Sequence, residues 1–458
     1  MIDDWQAKDV LVLGLGDTGL SSIRWLARHG ARLRAADTRT APPALGTVRA
    51  EYPELRVSLG AFEPSLLEGV DAVVASPGLA LRDPLLAAAL QRGIEVVGDV
   101  EVAARALARR APGLRVLGVT GTNGKSTVTA LAAAMGAAAG LKSVAAGNIG
   151  LPVLDALADF EREGYPDLCV IELSSYQLET TSSLRLDAAT MLNLSQDHLD
   201  RYDSMADYGR AKERIFMHCG TRIVNRDDAA SLAMGKGDGV FSFGLGVAKG
   251  GSQWGLDAGQ TALFHGSEKI IDVRAMAMRG LHNAANGLAA HALCTAVDIP
   301  APPLARALSE FKGLPHRVQQ VAATRGVRFY DDSKGTNVGA SVAALEGFTD
   351  PVVLIAGGDG KGQDFAPLAS AVKRHARAVV LIGRDAALIE AALKDTGIAI
   401  HRAATLEEAT QEAFHLAREG DAVLLSPACA SFDMFRNYGH RGDVFAQAAR
   451  ALAQSRES

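Results

Sequence analysis

Residues Thr120-Gly121-Thr122-Asn123-Gly124-Lys125-Ser126-Thr127 sit between the apolar run Val116-Leu117-Gly118-Val119 and the alanine-rich segment Val128 to Ala139. An apolar run, a tight glycine turn and a helix start in that order form a strand, a loop and a helix that cradle phosphate. Backbone N–H groups and the helix N-terminus face the phosphates, Lys125 neutralises their oxygens, and Ser126 or Thr127 ligates Mg2+. The general P-loop pattern places a glycine five residues before Gly124, where this chain has Val119, so only the shorter T-G-T-N-G-K-S-T form holds. Nucleoside triphosphate chemistry is the expectation.

Elsewhere, strand-like apolar runs alternate with Ala/Leu helical patterns, which predicts an α/β fold of parallel sheets. With 458 residues and about 150 per domain, roughly three domains are expected. Hydrophobic residues make up 48% and charged residues 22%, the ordinary globular balance. A net charge of -5, from 47 basic and 52 acidic residues, argues against a nucleic-acid or membrane-surface partner. Cys169, Cys219, Cys294 and Cys429 are widely spaced without zinc spacing and read as reduced thiols. The opening Met1 to Asp9 is polar, and no run approaches the about 18 apolar residues of a membrane span. A cytoplasmic monomer is expected.

The first unit, residues 1–98, opens with the strand Val10 to Leu13, the turn Gly14-x-Gly16-x-x-Gly19 and a helix from Leu20 to His29. A second strand, Leu33 to Ala36, ends at Asp37, where a ribose-reading carboxylate sits in Rossmann-like units. Ser76-Pro77-Gly78 adds a turn at a further strand end. Nothing downstream resembles a hydride-transfer site, so a nicotinamide oxidoreductase leaves most of the chain unexplained.

The second unit, residues 99–313, carries the phosphate loop, a strand from Leu168 ending at Glu172, and a polar cluster from Asn193 to Tyr202 after the strand-like Ala188 to Leu192. A carboxylate at Glu172 beside the phosphates suits Mg2+, which prefers oxygen ligands and keeps waters. Taken singly, His198 reads as an ordinary hydrogen-bonded histidine and Lys212 as a solvated helix lysine. The third unit, residues 314–458, has three strand ends with chemistry: Asp331 to Asn337, Gly357 to Lys361 and Ser426 to Phe432. Such loops converge on one edge of a parallel sheet, so Lys334, Thr336, Lys361 and Ser431 are expected to form one anion-binding cleft suited to a dicarboxylate.

Taken together, GTNGKST at Gly121 to Thr127, GNIGLP at Gly147 to Pro152, ELSSYQLE at Glu172 to Glu179, DHLDRY at Asp197 to Tyr202, GLPHR at Gly313 to Arg317, DDSKGTN and SPACASFDMF resemble the Mur ligase family over nearly the whole chain. The resemblance implies three α/β domains: an N-terminal Rossmann-like UDP-binding domain, a central P-loop ATPase-like domain and a C-terminal Rossmann-like domain. It implies ATP-dependent addition of D-glutamate to UDP-N-acetylmuramoyl-L-alanine through an acyl phosphate, with ATP and Mg2+ as cofactors. A folylpolyglutamate synthase-like ligase shares the phosphate loop but does not need the first domain's nucleotide fingerprint. A non-catalytic ATP-binding protein could dispense with Glu172, His198 and Lys212.

By the same resemblance, Gly121, Thr122, Asn123, Gly124, Lys125, Ser126 and Thr127 hold the ATP phosphates, while Asn286, Arg317 and Asp332 grip its adenine and ribose side. Ser126, Glu172, His198 and a carbamylated Lys212 shape the metal sites, and Lys334 stabilises developing phosphate charge. Gly16, Asp17, Thr18, Asp37, Thr38, Arg39, Ser76, Pro77 and Gly78 bind the UDP substrate, with Asn148, Ser174 and His198 near its acyl end. Thr336, Lys361 and Ser431 take the glutamate carboxylates, walled by Phe432 and Tyr438. The chain departs from the family at Gly335, where Ala is common, at Tyr438, where Phe is common, and at Gly439, where an acidic residue is common.

Overall fold

The computed structural model describes residues 4–111, 113–278 and 280–454, with the side chain of Arg110 excepted; residues 1–3 of the polar opening lie outside the described residues. Three sheets follow one another along the chain. The first has five parallel strands in the order Arg56–Leu59, Arg32–Asp37, Asp9–Leu13, Ala72–Ala75 and Glu95–Val97. Strand order reverses beside Asp9–Leu13, so the loops leaving it and Ala72–Ala75 diverge and open a crevice at their carboxyl ends. The glycine turn and Ser76 meet there. Its helix begins at Asp17 rather than Leu20, because Gly16 already takes the extended N-cap conformation.

The second sheet has nine strands. Ser143–Gly147, Leu168–Glu172, Arg115–Thr120, Leu186–Met191, Cys219–Asn225, Val240–Phe243 and Gln253–Leu256 are parallel neighbours. Ala262–His265 and Glu268–Asp272 complete it as antiparallel strands. The third sheet runs Gln319–Thr324, Val327–Asp331, Ala422–Leu425, Val352–Gly357, Ala376–Ile382 and Ala399–Arg402, antiparallel only at its first pair. These antiparallel edges depart from the all-parallel expectation. At Arg325-Gly326 two consecutive residues with φ of 50° and 72° make a two-residue turn, which can join only antiparallel strands.

Burial explains why the strands read as continuous apolar runs. Val10 to Leu13 and Val352 to Ala356 are wholly buried, covered by helices on both faces of their sheets. In the middle of the chain, the helix Lys125–Ala138 packs on the helices Leu281–Thr295 and Ala301–Glu310, which holds the phosphate loop at the carboxyl end of Arg115–Thr120. Among the described residues no helix is long and apolar enough to cross a membrane.

Candidate active site

In the phosphate loop, Gly121 and Gly124 adopt φ of 150° and 85°, which a side chain at either position would strain. Neighbouring strands brace the loop: the Thr122 N–H donates to Asn193 O at 2.9 Å, and the Asn123 N–H donates to Asn193 Oδ1 at 2.9 Å. Lys125 folds back to donate to Gly121 O (3.0 Å) and Thr122 O (2.8 Å), within the anion cradle its ammonium would neutralise. Burial lowers its pKa. Asn286 lies against the loop, since a Cβ on Gly124 would come within 2.6 Å of its Oδ1. Arg317, distant in sequence, donates to Ser126 Oγ at 2.7 Å and so ties the third unit to the loop.

Glu172 ends its strand buried at 1% exposure. Its Oε1 accepts from Asn148 Nδ2 at 2.8 Å, while Oε2 has no partner. A buried carboxylate oxygen without a donor is costly unless a cation meets it, so the Ser126 hydroxyl and Glu172 fit a hard oxygen-seeking ion. As they stand, no group of three His, Cys, Asp or Glu side chains suited to a metal is present among the described residues. Lys212, equally buried, donates to Gly121 O at 2.7 Å and lies 4.7 Å from the centre of the Tyr208 ring. Burial and the nearby Lys125 push its pKa well below the usual lysine range. This contradicts the reading of Lys212 as a solvated helix lysine: the helix Met205–Glu213 turns that face inward.

His198 sits at φ 57° with Nδ1 2.7 Å from the Tyr176 hydroxyl, and burial lowers its pKa to about 4. Its neighbour Asp197 takes no role from the sequence alone, yet it joins the two halves of the site. Lys361 Nζ donates to Asp197 Oδ1 at 2.8 Å, and Asn337 Nδ2 donates to Asp197 Oδ2 at 3.2 Å and to Asn123 Oδ1 at 3.0 Å. Both residues stood inside quoted motifs. Only tertiary proximity reveals their pairing.

On the third sheet the strands Val327–Asp331, Ala422–Leu425 and Val352–Gly357 are neighbours, so their loops are too. Asp359 and Ala430 exchange backbone hydrogen bonds of 3.0 and 2.8 Å, which ties the Lys361 loop to the Ser431 loop. Ser431, next to this junction in the chain, is buried, and Thr336 is half-buried. Lys334 lies 3.8 Å from the centre of the Tyr438 ring, and burial lowers its pKa to about 8. Asp332 is pushed up to about 7 by burial, with the Ser426 hydroxyl donating to it at 2.7 Å. Tyr438 therefore walls Lys334, whereas Phe432, 75% exposed, projects into solvent.

The first two units share a cleft of about 710 Å3, lined by Gly16, Asp17, Thr18, Asp37, Thr38, Arg39, Ser76, Pro77 and Gly78 on one side and by Asn148 on the other. Gly14 takes φ 90°, and Ser76 Oγ donates to its carbonyl at 3.1 Å. Asp37 accepts from the Leu15 N–H at 2.6 Å and from Arg39 Nη2 at 2.7 Å; the Arg39 guanidinium holds its carboxyl down to about 2. Its carboxylate thus braces the turn as well as bordering the cleft. Ser174 caps the helix Ser175–Glu179 with its hydroxyl. Arg201 donates to Pro77 O at 3.1 Å and fastens the polar cluster to the first unit.

Comparison with known proteins agrees with this layout. Residues 8–98 match the family model described as Mur ligase MurD-like, N-terminal domain, residues 119–294 the Mur ligase middle domain, and residues 316–429 the Mur ligase, glutamate ligase domain. The chain is 54% identical to the UDP-N-acetylmuramoylalanine--D-glutamate ligase of Methylobacillus flagellatus, covering 98% of both chains. It is 53% identical to that of Thiobacillus denitrificans, covering 98% of this chain and 97% of the relative. In fold it is similar to the UDP-N-acetylmuramate-alanine ligase MurC of Thermotoga maritima, with a TM-score of 0.60 at 18% identity over 98% and 99% of the two chains. A pseudomurein peptide ligase type C from Methanothermus fervidus gives 0.59 at 17% identity over 97% and 100%. From its full-length likeness to these ligases, with a matching family domain for each of its three sheets, the chain belongs to the Mur ligase family.

Proposed function

We propose that this chain is the ATP-dependent ligase that joins D-glutamate to UDP-N-acetylmuramoyl-L-alanine in the building of peptidoglycan precursors. The observation that carries the reading is the way the third unit reaches the phosphate loop: Arg317 donates to Ser126, and Asn337 bridges Asn123 and Asp197, which also accepts from Lys361. Identity of 50% or more to D-glutamate ligases over nearly the whole length supports it.

A carboxylate is a poor electrophile, so the alanyl carboxylate attacks the γ-phosphorus of ATP, ADP leaves, and an acyl phosphate forms. The amine of D-glutamate then adds to the acyl carbon, and the tetrahedral centre collapses with loss of phosphate and a proton. Catalysis of such transfers rests on positioning and charge neutralisation. Lys125 holds the γ-phosphate, Lys334 meets charge developing on it, and Asn148 and Ser174 keep the acyl end in place. Asn286, Arg317 and Asp332 are assigned to the adenosine side. Ser126 and Glu172 would hold a Mg2+ ion, and His198 would help hold a second, and such ions would supply further neutralisation of the phosphates. Lys212 fits carbamylation because carbon dioxide reacts with a neutral amine, and burial favours that form; the resulting carboxylate supplies the acidic ligand otherwise lacking. Thr336, Lys361 and Ser431 bind the glutamate carboxylates once Lys361 exchanges Asp197 for substrate.

The test is ATP-dependent phosphate release with UDP-N-acetylmuramoyl-L-alanine and, separately, D-glutamate, L-glutamate, meso-diaminopimelate or no amino acid. Release with D-glutamate alone is expected. Release with another amino acid reassigns the pocket, and release with none overturns the ligase reading.

A further inference from the structure

One buried carboxylate in the substrate cleft is left unused by the reaction as described. Asp99 opens the helix Asp99–Arg110 directly after the first sheet, at the seam between the two walls of the cleft. It is 2% exposed. Gln177 Nε2 donates to its Oδ2 at 3.3 Å, while Oδ1 has no hydrogen-bond partner of normal geometry, although the Asp99 and Val100 N–H groups lie near enough to ease its charge. Burial pushes the carboxyl up to about 6. No Lys, Arg or His pairs with it among the described residues.

The surroundings hold this carboxylate rigidly where it stands. A Cβ on Gly98 would come within 2.4 Å of Thr180 Oγ1, so the junction is pressed against the end of the helix Ser175–Glu179. Two residues on, Glu101 Oε2 accepts from the Ser182 and Ser183 N–H groups at 2.7 and 2.9 Å. Gln177 is fixed from its other end, because its Oε1 accepts from the Ser174 N–H at 3.2 Å within the capping box. A fixed, desolvated acceptor bordering a cleft is costly when empty and favourable when a ligand brings a donor to it.

Position along the cleft indicates which part of the ligand supplies that donor. The peptide before Asp99 lies beside Ala75, next to Ser76 of the turn assigned to the nucleotide, and Gln177 joins Asp99 to Ser174, assigned to the acyl end, so Asp99 stands between the two. Resting on the function proposed above, we propose that Asp99 is a binding residue for the amino-sugar portion of the substrate, accepting a hydrogen bond from an amide N–H or hydroxyl there. Gln177 orients the carboxylate by holding its other oxygen.

The experiment is calorimetric binding of UDP and of UDP-N-acetylmuramoyl-L-alanine to the full chain and to Asp99→Asn, with KM for each substrate measured alongside. The expected result is unchanged UDP affinity, affinity for the full substrate weakened about tenfold, KM for that substrate raised equally, and KM for ATP and D-glutamate unmoved. Asp99→Ala, which removes the acceptor without adding a donor, shows the same split. Equal weakening of both ligands, or a lowered melting temperature with no change in either affinity, would reduce Asp99 to a structural residue and overturn the proposal. Failure of the unaltered protein to bind the full substrate would instead overturn the functional reading of the cleft.

Discussion

Replacing Lys212 by methionine should separate stability from activity. The wild-type amine is 1% exposed, has one hydrogen bond, to Gly121 O at 2.7 Å, and lies in the field of Lys125. Exchanging a buried, desolvated ionisable group for an apolar chain of similar volume is neutral or stabilising by about 1–4 kcal/mol, and losing one hydrogen bond returns about 1 kcal/mol. Lys212→Met should therefore unfold in denaturant within about 1 kcal/mol below to 3 kcal/mol above the wild type. Phosphate release should fall by about two to three orders of magnitude, the scale for removing one positioned charge-stabilising group. In Lys212→Ala, added acetate should restore part of the rate.

The pH dependence has a definite sign. The folded pKa of Lys212 lies below that of the unfolded chain, near 10.5, so between the two values the unfolded state binds more protons. Its contribution to stability thus rises with pH through that interval, and Lys212→Met lacks the rise. A variant with near wild-type phosphate release, or one destabilised by much more than about 3 kcal/mol, would show Lys212 to be a structural residue and refute this reasoning.

Asp197→Asn should weaken the link between the central and third units by about 1.5–3 kcal/mol, the range for hydrogen bonds to charged groups, read as a lower unfolding midpoint, and should lower the KM for D-glutamate because Lys361 no longer leaves a carboxylate to meet the substrate; an unchanged midpoint would show that the contact with Lys361 contributes nothing. Because the Lys361 ammonium holds the Asp197 pKa down against the opposing effect of burial, its contribution is present above the unfolded carboxylate value and lost as pH falls through the folded one. Glu172→Gln keeps an acceptor for Asn148, so the fold should stand while phosphate release falls about a hundredfold and more Mg2+ is needed for half-maximal rate; unaltered Mg2+ dependence would remove Glu172 from the metal site. Gly19→Ala places a Cβ 1.8 Å from Gly14 O, so the first unit should lose about 3 kcal/mol or more and UDP binding, with ATP binding retained; retained UDP binding would contradict the close approach.

What the sequence determined by itself were the local devices, because their physics lies within a few residues. The strand, glycine turn and helix around Lys125 needed only an apolar run and two glycines at left-handed φ, and the buried strands Val10 to Leu13 and Val352 to Ala356 declared themselves by continuous apolar character. The order of apolar and Ala-rich segments likewise gave three α/β units, although the antiparallel edge at Arg325-Gly326 went unread since its turn lacks the usual asparagine or aspartate before glycine.

Tertiary structure decided what those devices do to one another. Taken singly, Lys212 reads as an exposed helix lysine, and apart from the family resemblance only the helix Met205–Glu213 shows it turned into the interior; Asp197 reads as one acid in a polar cluster until Lys361 arrives from more than a hundred residues away. Asp99 gave no sign at all, being a helix-start aspartate like many others until Gln177 and the cleft surround it. Burial and long-range pairing set the energy of a charge, and neither is a property of the residues on either side of it in the chain.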